Sequence, residues 1–302
     1  MQTQPLEPRI ESSLLYTRED GMQAFVHDSH RDYFLAKYLA PNRLGKENQL
    51  TYYWFVRPEL LQATPFYVGM VTDANEMLLQ IVHYKKFQLL AQSSNETKAV
   101  SESTVVSIIS QLFNDLSIYD GGLIANAILT VSKKGKKRLE DYAIEILKDP
   151  QLTHYKLGLV YRHKWELTQK ALIEFEECLK YTIKTSRLSA ECMYELGKLY
   201  RFTKPRRANQ YLKRAMALYK GLDGEDIRTE EAHVAFDAAT ELKNYSKDYS
   251  SAKKLFERSI ELFEKFAKES DFLKGYYISK TCLCYKELGK MQRKQRLRKK
   301  YK

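Results

Sequence analysis

The sequence predicts a mainly α-helical protein with a short N-terminal β-hairpin, a helical bundle and then an α-solenoid of helical hairpins. Three observations predict this fold. The 302 residues include 7 Pro and 12 Gly, a composition typical of helix-rich chains. Apolar residues recur three and four positions apart over most of the chain, which is the helical period. From residue 157 onward, a pattern of small and aromatic residues repeats.

The N-terminal part, residues 1–40, is predicted to contain a hairpin followed by a helix. Residues 10–16 and 22–27 flank Asp20 and Gly21, a pair that accepts the backbone angles of a tight turn. A helical pattern begins near Ser29, and Pro41 ends it. Because an isolated hairpin is only marginally stable in water, we expect this one to pack on a neighbouring element.

Residues 41–95 are predicted to form a compact helical region, and residues 96–150 a helical array. Apolar residues cluster between 51 and 95, and Pro58 and Pro65 each suit the first turn of a short helix. The polar, aperiodic residues 92–102 predict a linker. The pattern beyond it predicts helices at 107–118, 122–131, 136–148 and 153–163.

Residues 151–302 contain the repeated pattern, followed by a basic tail. Small residues and aromatic residues recur at matching places in successive pairs of helices. The signature residues are Leu157, Gly158, Tyr161, Ala171 and Phe175 in the first pair, Leu196, Gly197, Tyr200, Ala208 and Ala215 in the second, Ala252 and Phe256 in the third, and Tyr285 and Gly289 in the last helix.

This pattern resembles the tetratricopeptide repeat (TPR), in which small residues let two helices approach and aromatic rings fill the space between hairpins. The resemblance implies a superhelix that binds a protein or a peptide. The spacing of the alanines exceeds the usual repeat of about 34 residues, so a generic superhelical array is the alternative.

The residues 25–40, FVHDSHRDYFLAKYLA, carry a second resemblance. They are similar to the segment F-x-H-x-x-x-x-E-[YF]-[FL]-x-A-x-x-L of NACHT-type signal-transduction ATPases with numerous domains (STAND ATPases). In that family the segment joins a winged helix to a helical sensor region. The resemblance implies that residues 1–40 are the remnant of a winged helix, and that His27 contacts a nucleotide phosphate.

The charge of the chain lies mostly at its C-terminal end. The formal net charge is +12, and residues 290–302 carry eight basic residues and no acidic one, so residues 1–289 carry +4. The tail includes Arg293, Lys294, Arg296, Arg298, Lys299 and Lys300. A basic run can contact nucleic-acid phosphates or form the polar cap of a terminal repeat, and the cap is the favoured interpretation because only Tyr301 is available for base stacking.

Several classes of chemistry lack their residues in this sequence. A phosphate-binding loop, G-x-x-x-x-G-K-[ST], is absent, so we expect no nucleotide hydrolysis. His27, Asp28, His30 and Asp32 lack the further separated ligands that a metal hydrolase requires, and Cys282 and Cys284 lack a matching pair. We therefore expect no enzyme, no metal and no cofactor.

The location and the partners follow from the same features. No apolar run is long enough to cross a membrane, and no secretory signal pattern opens the chain. The four cysteines, which fall in predicted helices, fit a reducing cytoplasm. We expect a cytoplasmic protein whose partner is a protein or peptide, with no membrane contact; the oligomeric state stays open.

The function that the sequence favours is a non-catalytic sensor module, equivalent to the C-terminal half of a NACHT-type ATPase. A chain that begins at Met1 within that layout would be a stand-alone sensor, one half of a split protein or a truncated reading frame. Two alternatives stay open. One is a nucleic-acid-associated helical scaffold that uses the basic tail, and the other is a nucleotide-responsive partner of a separate ATPase core that uses His27.

Overall fold

The computed structural model describes residues 15–17, 23–25, 31–33, 35–36, 57–71, 73–98, 100–117, 121–182, 186–222, 225–270 and 272–300, and these are mainly helical. The helices of the first half are α1 (Pro58–Met70), α2 (Asn75–His83), α3 (Phe87–Glu96), α4 (Glu102–Asp115), α5 (Gly121–Ser132) and α6 (Leu139–Leu147). Those of the second half are α7 (Pro150–Tyr161), α8 (Thr168–Tyr181), α9 (Arg187–Tyr200), α10 (Pro205–Lys220), α11 (Glu225–Glu241), α12 (Tyr249–Glu269) and α13 (Lys274–Lys300).

Two short strands precede these helices. β1 (Leu15–Thr17) pairs antiparallel with β2 (Gln23–Phe25), with Tyr16 opposite Ala24. Most of the predicted hairpin, including its turn at Asp20 and Gly21, lies outside the described residues. Residues 31–33 and 35–36 are helical.

The chain divides into two compact units, Met1–Ile146 and Leu147–Lys302, called unit 1 and unit 2 below. Each unit is described by itself.

Unit 1 has a core of apolar side chains, both aliphatic and aromatic. Helix α3 packs on α1, α2 and α5, and α4 packs on α2 and α5. The core includes Leu90, Ile108, Leu112, Phe113 and Ile128, each fully buried. Burial of a side chain of this size contributes about 1.5–3 kcal/mol, so these apolar residues are sufficient to explain why the helices associate.

Two predictions in unit 1 are wrong. Residues 92–102 are not a linker, because α3 continues to Glu96 and buries Ser93 and Ser94; the connection is confined to residues 97–101. Pro65 does not begin a helix but lies inside α1. A proline there removes one backbone hydrogen bond and crowds the preceding turn, at a cost of about 3 kcal/mol, and burial of Ala63, Tyr67 and Val68 offsets this cost.

Unit 2 consists of helices that pack on their neighbours in sequence: α7 with α8, α9 with α10, and α11 with α12, while α13 packs on α12. Capping side chains mark the first turns of several of these helices. Asp149 caps α7 with Pro150 in its first turn, Ser186 caps α9, and Asp248 caps α12, which satisfies amide groups that the helix itself cannot. Below, α7, α9, α11 and α13 are called the first helices, and α8, α10 and α12 the second helices.

None of the helices in the described part of the chain is both long enough and apolar enough to cross a membrane.

Candidate functional site

The signature residues of the first helical pair lie at the contact between α7 and α8. Leu157, Tyr161, Ala171 and Phe175 are buried. Gly158 faces the ring of Phe175 so closely that a Cβ atom at this position would lie 2.7 Å from Phe175 Cε1. Because real Cβ contacts are longer than this, glycine is the residue that lets the two helices approach to this distance.

The second pair, α9 and α10, repeats this contact. A Cβ atom on Gly197 would lie 2.6 Å from Leu212 Cγ. Leu196, Tyr200, Ala208 and Ala215 are buried in the same hairpin. A small residue on the first helix and a large one on the second therefore meet at matching places in both pairs.

The later signature residues divide between two environments. Ala252 and Phe256 of α12 are fully buried. Tyr285 is 55% exposed, with its hydroxyl donating to Glu264, and a Cβ atom on Gly289 would meet nothing within 4 Å. The physical reason is that α13 buries its other side, through Tyr277, Cys284 and Met291. Tyr285 and Gly289 therefore make no close helix contact.

Unit 2 contains a set of residues that the sequence analysis missed. Among the described residues of this unit, six glutamates are buried: Glu191, Glu195, Glu230, Glu231, Glu241 and Glu287. All six lie on the first helices α9, α11 and α13. A buried carboxylate is costly unless it is paired, and each of these has a cationic partner.

Helix α7 is joined to α9 by two polar contacts. Arg162, at the end of α7, forms an ion pair with Glu195, and both side chains are buried. Burial alone would raise the pKa of Glu195, but Lys198 and Arg162 hold it below its ordinary value. Tyr155 forms a hydrogen bond with Glu191, and burial together with this carboxylate raises the pKa of the tyrosine well above its usual range.

Helix α9 is joined to α11 in the same manner. Arg187 donates to Glu230 over 2.6 Å, the hydroxyl of Tyr194 donates to Asp237 over 2.6 Å, and Arg201 forms an ion pair with Glu241. Burial raises the pKa of Glu230 and of Glu241 above the ordinary value, although the arginines oppose this shift.

Helix α11 is joined to α13 at His233 and at its C-terminal extension. His233 Nε2 lies 3.1 Å from the hydroxyl of Tyr276, and burial and then Lys280 lower the pKa of His233 to about 4. Lys243 lies in the π-helical turn Leu242–Ser246 that follows α11, and it forms an ion pair with Glu287. The contacts thus run from one first helix to the next across the unit.

Side chains that are partly exposed, together with the buried Tyr194, line these contacts. The ammonium group of Lys198 lies 4.9 Å from the centre of the Tyr194 ring, and that of Lys280 lies 5.3 Å from the Tyr276 ring. Tyr276 is 43% exposed. We call the set Tyr194, Lys198, Asp237, Tyr276 and Lys280 the first-helix face. It offers ammonium groups, phenol groups and a carboxylate at positions that neighbouring helices hold, which suits the binding of a polar chain.

Comparison with known proteins found no match: neither a family model, nor a curated protein, nor a solved structure is similar to this chain.

Exposed aromatic side chains occur in the turn within each hairpin. Trp165 follows α7 and is 80% exposed, Phe202 follows α9 and is 71% exposed, and Tyr245 follows α11 and is 41% exposed. Aromatic residues in this environment are common in protein interfaces. Their positions between successive helices could have been recognised in the sequence.

The other predicted residues are placed as follows. His27 lies outside the described residues, as do Asp28 and His30. The basic tail belongs to α13, in which Arg293 is exposed and Lys294, Arg296, Arg298, Lys299 and Lys300 continue the helical backbone. In the described part of the chain, no three His, Cys, Asp or Glu side chains are arranged to hold a metal.

The cysteines differ in their surroundings. Cys178, Cys192 and Cys284 are buried, in agreement with the interpretation that they replace small apolar residues, whereas Cys282 is exposed. The Cys178 and Cys192 Sγ atoms lie 3.1 Å apart on α8 and α9, and the Cys192 thiol donates to Cys178.

One signal in the sequence pointed to the buried glutamates. Glu191 and Glu195 interrupt an otherwise apolar pattern on α9, four residues apart and next to Ala190, Cys192, Tyr194 and Leu196. A carboxylate inside a buried stripe indicates a partner from another helix. The identity of that partner depended on the packing of the helices.

Proposed function

We propose that this chain is a non-catalytic protein-binding module whose helical hairpins form a TPR-like superhelix, and that the first-helix face binds a protein or peptide partner. Residues 25–40 resemble the segment that joins the winged helix to the sensor region in NACHT-type ATPases. The proposed role is that of this sensor region. Stacked helical hairpins present extended surfaces that suit this role.

The observation that carries the proposal is the confinement of the six buried glutamates to first helices. Replacing a buried ion pair with apolar residues is often neutral or stabilising, so a stable core does not require these charges. Their effect is to hold the partly exposed side chains of the first-helix face in set positions. Such positioning reduces the entropy that a binding surface loses when its partner binds.

The turns within the hairpins provide a second support. In a stack of similarly oriented hairpins, the turns after α7, α9 and α11 share one edge, which would align Trp165, Phe202 and Tyr245. A partner bound along the first-helix face would then contact these aromatic rings at the edge of that face, and apolar contact there would add affinity.

A displayed random-peptide library tests the proposal directly. The full chain is immobilised, enriched peptides are sequenced, and their dissociation constants are measured for the wild type and for Tyr276→Ala. We expect enriched peptides to share a motif and to bind Tyr276→Ala at least about tenfold more weakly, as for a residue at the centre of an interface.

The matched control is Ile173→Ala. Ile173 is 55% exposed on the second helix α8, so its loss removes a similar exposed side chain from outside the first-helix face. Circular dichroism checks that both variants fold. Equal loss of binding in the two variants, or the absence of any shared motif, would refute the proposal.

A second candidate function is nucleic-acid binding by the C-terminal end of α13. The observation that favours it is the single helix Lys274–Lys300, which carries the basic run on a continuous helical backbone. Binding of a random-sequence DNA duplex should then weaken steeply with salt, because phosphate contacts release counterions. Replacing Arg293, Lys294 and Arg296 by Gln should reduce the salt slope, and an affinity that does not change with salt excludes this function.

A further inference from the structure

A basic cleft lies at the C-terminal side of unit 2, outside the first-helix face. It has a volume of about 260 Å³ and is lined by Lys243, Asn244, Lys247, Tyr249, Lys290 and Met291. The lining residues come from the π-helical turn after α11, from the start of α12 and from α13. Three lysine side chains thus reach one cleft from two separate stretches of the chain.

The charges around the cleft do not balance. Glu287 accepts hydrogen bonds from Lys243 and from Lys290, the latter over 2.6 Å. Within the described part of the chain, Lys247 has no carboxylate partner. The neighbouring Asp248 accepts from the backbone amide of Ser251 as the cap of α12 and does not line the cleft. Three ammonium groups and one carboxylate leave a surplus of two positive charges.

The backbone at the cleft is unusual. Residues Leu242–Ser246 form a π-helical turn, and Lys247 follows with a φ of 53°, in the left-handed region. Both features are uncommon, and each occurs preferentially at functional sites. Here they turn the chain at the point where Lys243 and Lys247 both line the cleft.

We propose that this cleft binds a small phosphate monoester, with the dianionic phosphate between Lys243, Lys247 and Lys290. A phosphate monoester carries a charge of about −1.5 to −2 at neutral pH, which matches the surplus of the cleft. Asn244 supplies an amide donor. Tyr249 and Met291 supply the apolar wall for the organic part of the ligand. The volume lies just below the range of about 300–1,000 Å³ that is common for small-molecule sites, so the ligand is small.

Isothermal titration of the full chain with phenyl phosphate tests this site. The wild type should show saturable binding with one site for each chain. Lys247→Gln should weaken binding about tenfold or more, the size expected for the loss of a hydrogen bond to a charged group. Lys247 is the best position to change because it is exposed and supports no other described ion pair.

Two further variants make the test specific. Lys253→Gln removes the same charge from an exposed position on α12, outside the cleft, where Lys253 pairs with Glu257; it should bind as the wild type does. Glu287→Gln removes the carboxylate that competes for Lys243 and Lys290, and it should bind more tightly than the wild type.

Benzenesulfonate is the control ligand, because it has a similar ring but a single negative charge, and it should bind more weakly than phenyl phosphate. The proposal is overturned if phenyl phosphate does not saturate the wild type at millimolar concentration, if Lys253→Gln weakens binding as much as Lys247→Gln does, or if the two ligands bind equally. None of these results bears on peptide binding by the first-helix face, so the two proposals fail independently.

Discussion

Unit 1 and unit 2 are both helical, but they bury different polar groups. The buried polar side chains described in unit 1 are serines and threonines, together with Asp32, whereas those in unit 2 include six glutamates. A hydroxyl can bond within its own helix, as Thr97 does to the Ser93 carbonyl over 2.8 Å. A glutamate requires a cation, and in unit 2 most of these cations come from another helix.

The two cores therefore specify their packing in different ways. Apolar packing holds unit 1, and apolar contacts tolerate rearrangement when volume is conserved. In unit 2 most of the buried glutamates pair with a cation from another helix, so a shift of one helix against the next leaves charges unpaired. The first helices of unit 2 are therefore held in register by charge as well as by shape.

The largest expected effect is on the buried ion pair of unit 2. Arg162→Met should lower the free energy of unfolding by about 3 kcal/mol, because it leaves Glu195 buried with Lys198 as its remaining partner. The control in unit 1 is Lys137→Met, which removes an exposed ion pair with Glu145 and should change stability little. Urea denaturation measures both.

A double-mutant cycle completes that test. Adding Glu195→Gln to Arg162→Met should restore part of the lost stability, because the uncompensated charge is gone. If Arg162→Met and Lys137→Met lower the free energy of unfolding equally, buried ion pairs do not stabilise unit 2 in the way stated here.

The next largest effects are those of glycine-to-alanine substitutions, which should differ between the first two hairpins and α13. Gly158→Ala should destabilise the protein by about 1–3 kcal/mol, because the added methyl group meets the buried ring of Phe175. Gly289→Ala, in open space inside α13, should stabilise it by about 0.5–1 kcal/mol through its higher helix propensity. Thermal unfolding should show shifts of opposite sign, and shifts of equal sign would contradict the difference between these glycines.

Burial lowers the pKa of two histidines in unit 2, His163 and His233, to about 4, and the stability of the unit should depend on pH partly through His233. Its pKa is lowered from 6.5 to about 4, so the unfolded state binds the proton more readily. Stability is therefore full above about pH 6.5 and is lost as the pH falls towards 4, by about 1–2 kcal/mol because the side chain is partly exposed.

The variant His233→Asn should have a flatter profile between these pH values, as measured by urea denaturation at each pH. The control is His83→Asn, which removes an exposed histidine from unit 1 and should retain the wild-type slope. An unchanged slope in His233→Asn would show that other groups cause the dependence.

The two units should agree in the effects of their helix caps. Ser101→Ala removes the side chain that caps α4 in unit 1, and Asp248→Ala removes the cap of α12 in unit 2. Each should cost about 1 kcal/mol, since a cap acts within its own helix. Chemical denaturation of both variants tests this. If one substitution lowers the free energy of unfolding far more than the other, the two units also differ in how their helix ends are stabilised.

Local patterns in the sequence were sufficient to predict some of the close contacts between helices. Gly158 and Gly197 were recognised because small residues in an apolar stripe indicate close helices, and Phe175 and Ala208 because they recur at a helical spacing. The prediction for Pro65 was wrong because burial of the apolar face of α1 outweighs the local effect of a proline. The prediction for residues 92–102 was wrong because the serines of α3, although polar, are buried in the helix.

Composition, periodicity and formal charge were sufficient to predict the helical class and the basic end of the chain. The tertiary structure alone decided which cation pairs with each buried glutamate, which side of α13 is covered and which lysines share a cleft. These features depend on distances between residues such as Arg162 and Glu195, or Lys247 and Lys290, that are far apart along the chain. Side chains at such separations are brought together only by the packing of the helices that carry them.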